Sequence, residues 1–122
     1  MIVLELYNLI RGKYPDITKK ADKEHIRIWG EIDPEFAYSW FESLANAINK
    51  EMVAGVTADK HLDLFTFIDS QFNFGDDKLK DCIDVAFTEN LFWEVPVDKR
   101  EPYWNILPER LKKLYINFHQ GG

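Results

Sequence analysis

Apolar residues recur at positions 2/3, 6 and 9/10 at the start of the chain, the period of a helix with one buried face. Gly12 and Pro15 end that pattern. Residues 16–32 break the rhythm: Ile26 and Ile28 alternate with Arg27 and Trp29 as in a short strand, while Ile17 and Ala21 fit one helical turn. An irregular or weakly extended connection is predicted there. Asp33-Pro34-Glu35 then combines an N-cap residue, a proline at the first helical position and an acid in the first turn. The helix it announces has apolar positions 36/37, 40/41, 44, 47/48 and 52, and stops at Gly55. Thr57 is placed to cap a third helix through Leu62, Phe65, Ile68 and Phe72, widened by Leu64 and Phe67. Gly75 closes it, and Asp76 caps a fourth with Leu79, Cys82/Ile83, Ala86/Phe87 and Leu91 on one face.

Pro96 and Pro102 exclude helix through EVPVDKREP, because proline lacks the backbone donor and clashes with the preceding turn. Pro108 fits the first turn of a last helix bearing Leu111, Leu114, Tyr115 and Phe118, with residues 119–122 as a frayed tail. The pattern predicts an all-α fold of about five helices in one domain, residues 1–122. Short connections at Gly55 and Gly75 make successive helices antiparallel. Either an α-solenoid of the ARM/HEAT kind or a compact bundle satisfies it.

Composition narrows the class. A chain of 122 residues can bury one core without staples, and nine Phe, five Tyr and four Trp argue against disorder. The single cysteine, Cys82, rules out an internal disulfide framework and suits a reducing compartment. Glu5 interrupts the apolar start and no small-residue cleavage site follows, so no signal peptide is read. No apolar run approaches the roughly 20 residues of a membrane span. A cytoplasmic protein is expected.

The net charge of −6 is unevenly spread. Residues 1–33 balance to zero; residues 34–98 hold thirteen acids against Lys50, Lys60, Lys78 and Lys80; residues 99–122 carry a surplus of three bases. An acidic middle segment attracts a basic partner and lacks the basic footprint of a nucleic-acid binder. It is equally what a solvated surface looks like.

Catalytic chemistry is poorly represented. His25, His61 and His119 form no Glu-x-x-His pairs and no zinc-protease spacing, and Asp22-x-x-His25 alone is a chance surface pair. Cys82 sits on an apolar stripe more than a turn beyond its helix start, which suits a core thiol better than a nucleophile. Glycines are isolated or terminal, so no phosphate-cradling loop or nucleophile elbow exists. No cofactor and no metal are expected.

The acids are more suggestive. Asp77, Asp81 and Asp84 share one helical face, and Asp59, Asp63 and Thr66 form a comparable polar stripe on the preceding helix, with Asp69 nearby. Near the proline loop, Trp93, Glu94, Tyr103 and Trp104 bracket a charged run. Exposed tryptophan or tyrosine would mark a binding hot spot, but Trp93 and Trp104 are expected mainly to wedge the last helix against the core.

The run ENLFW, followed after a proline-containing loop by YWNILPERL, resembles a group of small bacterial α-helical proteins, some of them similar to immunity proteins paired with polymorphic or contact-dependent growth inhibition toxins. Leu79, Cys82, Phe87, Glu89-Asn90-Leu91 and Leu107-Pro108 carry the likeness, within residues 79–114. The resemblance implies a non-enzymatic inhibitor that binds a toxin domain, commonly a basic nuclease, and it transfers no site residues. The expected contact residues are Asp63, Asp69, Asp77, Asp81, Asp84, Glu94, Tyr103 and Trp104. A helical adaptor that binds a peptide or itself is the second reading. An enzyme built on Asp63, Asp84 and His61 is the third.

Overall fold

The computed structural model describes residues 1–121, and every regular element among them is helical, with no strand. Seven α-helices are formed where about five are expected: α1 (Val3–Lys13), α2 (Pro15–Trp29), α3 (Ala37–Ala54), α4 (Asp59–Phe72), α5 (Asp77–Asp81), α6 (Val97–Ile106) and α7 (Glu109–Gly121). A π-type turn, Cys82–Phe87, and a 3-10 turn, Thr88–Asn90, carry α5 onward. Gly122, the end of the expected frayed tail, lies outside the described residues; the helix itself continues through His119.

The centre is α3. Eleven of its eighteen residues are buried, among them Trp40, Phe41, Leu44 and Ile48, so it is covered on nearly every side. α1, α2, α6 and the 82–90 segment all pack on it, a bundle arranged around one helix. Asp33 caps its entry by accepting from Glu35 N at 3.0 Å, and Gly55 ends it at φ 86°, a left-handed conformation that costs glycine nothing. Thr57 does not cap α4: Ala58 occupies that position without a side-chain bond. Asp76 does cap α5, accepting from Leu79 N at 2.8 Å.

Two corrections have clear causes. Residues 15–29 form a full helix, not an extended connection. Its buried stripe is Ile17, Thr18, Ala21, Glu24 and His25, while Ile26, Ile28 and Trp29 face solvent, so hydropathy pointed to the wrong side. Polar bonds hold this stripe down: Asp22 takes both Arg11 guanidinium nitrogens (2.7 and 2.9 Å) and the Trp40 indole N–H (2.8 Å). His25 Nδ1 lies 3.1 Å from Ser43 Oγ, and Glu24 pairs with Lys50 and Arg27. Pro102, taken as a helix breaker, lies inside α6. Asp98, whose carbonyl loses its partner there, is exposed like Pro102, so water can replace the missing donor.

Candidate interaction surface

The wide turn at Cys82–Phe87 decides which acids meet. Thr88 Oγ1 donates to Ile83 O (2.7 Å) and Asn90 Nδ2 to Ala86 O (2.7 Å), stabilising a coil wound more loosely than an α-helix. Positions five apart diverge around an α-helix but nearly align over a π turn. Asp84 and Glu89 are therefore neighbours, and with Asp77 and Asp81 they form an acidic ridge. Asp81 accepts from Tyr38 Oη on α3 at 2.6 Å. Partial burial raises the Asp84 carboxyl above its ordinary range, with Asp81 adding to the shift. Burial raises Glu89 likewise, followed by Asp84 and Asp81, against a lowering influence from His119. Burial first, and neighbouring negative charge after it, thus disfavour ionisation of Asp84 and Glu89 on this ridge.

Beside the ridge, α6 and α7 splay apart over an open groove of about 370 Å³. Its floor is an aromatic triangle of Phe92, Trp104 and Tyr115, with ring centroids 5.3 to 5.9 Å apart and edge-to-face geometry. Exposed Val97 and Ile116 form its apolar walls, and His119, its ring tilted against that of Tyr115 with centroids 4.0 Å apart, links it to Glu89. Trp104 is half-buried here, as a wedge between helices with one part still open.

The opposite side of the same loop carries Trp93. Leu91 and Phe92 are buried, so three consecutive large apolar residues cannot all turn inward; Trp93 is left 65% exposed. It is not the core residue expected. Phe92 (φ 71°) and Glu94 (φ 55°) both sit in the left-handed region, a conformation that bulky side chains adopt at a cost of about 1–2 kcal/mol each. Buried Asn49 holds the loop in place: its Oδ1 accepts from Phe92 N and its Nδ2 donates to Asn90 O, each at 2.8 Å. Trp93 and Glu94 overlook a second recess of about 280 Å³ above Val53, Arg27 and Lys50.

The remaining expected contact residues scatter. Asp63 bonds the Tyr14 hydroxyl near the α1–α2 turn. Asp69 lies 3.8 Å from Arg110, whose guanidinium also donates to the Asp69 carbonyl at 3.2 Å, so it fastens α7 to α4. Tyr103 points inward: it is 2% exposed, donates to Val56 O at 2.6 Å, and burial pushes its hydroxyl up to about 12. Residue counting could not show that α6 turns Tyr103 inward, nor that Asn49, Tyr38 and Glu89 belong to this surface.

The trio Asp63, Asp84 and His61 does not assemble. Asp63 pairs with Tyr14 and Asp84 with its acidic neighbours, while His61 Nε2 lies 3.2 Å from Glu51 Oε1. Among the described residues no group of three potential ligands could hold a metal ion. Cys82 is buried, and burial raises its thiol far above the range of a nucleophile.

Burial lowers both His61 and His25 below the ordinary imidazole value, overcoming Glu51 in one case and Asp22 in the other. The unfolded chain then binds more protons than the folded one as pH falls through about 6.5, so stability drops toward acid. Each histidine contributes a slope of at most about 1.4 kcal/mol per pH unit. Urea denaturation at pH 7.5, 6.5 and 5.5 is expected to show this loss, with a shallower slope in His61→Gln. An unchanged slope removes His61 from the acid response.

No helix among the described residues is long and apolar enough to cross a membrane. No curated protein and no solved structure matches the chain. A family model does match, over residues 7–121, which includes the ridge, both recesses and all of the central helix. The chain therefore belongs to the DUF7674 family, a domain of unknown function.

Proposed function

We propose that this protein works by binding, as a cytoplasmic, non-enzymatic immunity-type inhibitor that covers the basic cleft of a toxin domain, commonly a nuclease. The observation that carries the reading is the ridge of Asp77, Asp81, Asp84 and Glu89 lying against the open aromatic groove. A basic partner offsets the burial and the neighbouring negative charge that raise Asp84 and Glu89, and its apolar contacts fill the groove, so charge supplies steering and the groove supplies residence time. Nuclease clefts are basic because they hold phosphodiesters, and an acidic ligand competes for the same field. Trp93, exposed on a strained loop that Asn49 pins, is the best-formed anchor outside the groove.

The test starts from the gene neighbourhood. A C-terminal toxin domain encoded immediately upstream is co-expressed with this chain, and growth and complex formation are followed. Rescue of growth together with a stoichiometric complex is expected. A purified toxin domain that remains active and unbound in excess of this protein removes the reading.

Exposed Trp93 and the open apolar groove also favour a second reading, a helical adaptor that associates with itself. Size-exclusion chromatography with light scattering distinguishes the two. A concentration-dependent dimer that Trp93→Ala abolishes supports the adaptor, whereas a monomer at all concentrations removes self-association.

A further inference from the structure

The groove between α6 and α7 holds a charge whose partner the fold does not supply. The chain has four arginines. Three of them pair with carboxylates: Arg11 with Asp22, Arg27 with Glu24 and Arg110 with Asp69. The fourth, Arg100, lines the groove and is partly buried, yet among the described residues no carboxylate lies within ion-pair distance of it. Glu101 lines the groove as well, but consecutive helical positions do not face each other. A guanidinium keeps its proton at any working pH and presents five donors in a rigid fork. A shielded one without an acid is a seat for an anion.

The surroundings decide which anion fits. Aromatic rings by themselves suit a cationic guest. Here the chain's own Lys112 Nζ already lies 5.7 Å from the Trp104 ring centroid, and Arg100 stands at the rim, so a second cation is repelled. The floor and walls are apolar, which calls for a guest with a carbon body. The volume of about 370 Å³ falls within the roughly 300–1,000 Å³ of small-molecule sites. One arginine offsets one negative charge. A dianion would meet Glu101, and Glu89 close to His119, in a chain of net charge −6. A carboxylate is the monoanion that a guanidinium fork grips through two parallel hydrogen bonds.

We infer that the α6–α7 groove binds a small monocarboxylic acid with an aromatic or short aliphatic body, its carboxylate on Arg100 and its body against Trp104, Tyr115 and Ile116. Such a guest occupies the space that the inhibitor reading gives to the partner's apolar contacts, so on that reading the acid and the partner compete. Binding of the acid is a property of this chain alone. It is measured without any partner, so its failure leaves the inhibitor reading standing, and failure of that reading leaves the groove's ligand untouched.

The probes are 4-phenylbutyrate, the neutral 4-phenylbutanol and the cationic 4-phenylbutylamine, titrated into the full chain at matched ionic strength. Calorimetry gives the affinities, and the nitrogen-15 indole resonances report the place. Saturable binding of the acid is expected with Kd about 0.1–1 mM, what a ligand of about twelve heavy atoms supports. The Trp104 indole resonance should shift while that of Trp93, outside the groove, stays. The alcohol should bind about fivefold to tenfold more weakly than the acid, and the amine more weakly still. Arg100→Gln is expected to bring the acid down to the level of the alcohol and to leave the alcohol unchanged. Lys99→Gln removes the same charge from an exposed neighbour that does not line the groove, and should leave all three unchanged. If Arg100→Gln fails to fold, the comparison of the three probes on the unsubstituted chain decides. No saturation by about 10 mM acid, or a shift at Trp93 in place of Trp104, overturns the inference. So does an alcohol or amine that binds as tightly as the acid, and so does an equal loss in Lys99→Gln, which marks a general ionic effect.

Discussion

Replacing Asn49 by alanine is expected to cost about 2–4 kcal/mol and to release the Trp93 loop. The side chain satisfies two main-chain groups at once, Phe92 N and Asn90 O, from a position only 5% exposed. Deleting it strands both, and each buried unpaired group carries a desolvation penalty of about 1–3 kcal/mol. The same bonds hold Phe92 and Glu94 at positive φ, so the strain stored there loses its restraint. Asn49→Asp keeps the acceptor for Phe92 N but sets an acidic oxygen against Asn90 O in a buried site, so it should be destabilised at least as strongly as Asn49→Ala. Urea denaturation measures the loss, and Trp93 fluorescence reports the loop. If Asn49→Ala is as stable as the unsubstituted protein, the clamp is not what holds the loop.

Reversing Asp77, Asp81 and Asp84 to lysine is expected to slow association with a basic partner by about tenfold to a thousandfold at low salt. The fold should survive. Asp77 and Asp81 are exposed, Asp84 is half-buried among like charges, and the one bond lost is Tyr38 to Asp81. Because the effect is long-range, raising ionic strength until the Debye length shrinks to about 3 Å, near 1 M salt, should bring the two association rates together. Stopped-flow mixing with the basic partner recovered in the co-expression test gives both rates. A rate that does not change at low salt removes the ridge from the interface and leaves the groove and Trp93 as the contact. The pH dependence has a definite sign. Asp84 and Glu89 titrate above the ordinary carboxylate range in the free protein, so association should accelerate as pH rises through that range and they become charged.

Much of the fold was legible in the chain because its strongest helices announce themselves chemically. Asp33-Pro34-Glu35 and Gly55 bracket α3, Asp76 starts α5, and Leu79, Cys82, Ile83, Ala86, Phe87 and Leu91 are all buried on the face their spacing assigns. α2 escaped because its inward stripe is held by ion pairs and hydrogen bonds to α1 and α3, partners that no local window contains. α6 escaped because the cost of Pro102 depends on whether the freed carbonyl meets water or core, and that is set by the position of the helix on the surface. Leu91, Phe92 and Trp93 are chemically alike at the level of hydropathy, yet the turn that Asn49 fixes sends two of them inward and one out.

The sequence by itself determined an all-helical chain with an acidic middle and with caps and glycines that set where α3 and α5 begin and α3 ends. These are local properties: side chains bonding to their own backbone, and apolar residues repeating at the helical period. Tertiary structure alone decided which acids became neighbours, that Tyr103 and Asp69 serve the fold, that Trp93 reaches solvent, and that Arg100 lines an aromatic groove. Each of those depends on residues far apart in sequence approaching within a few ångströms, which packing around α3 achieves and local spacing does not encode.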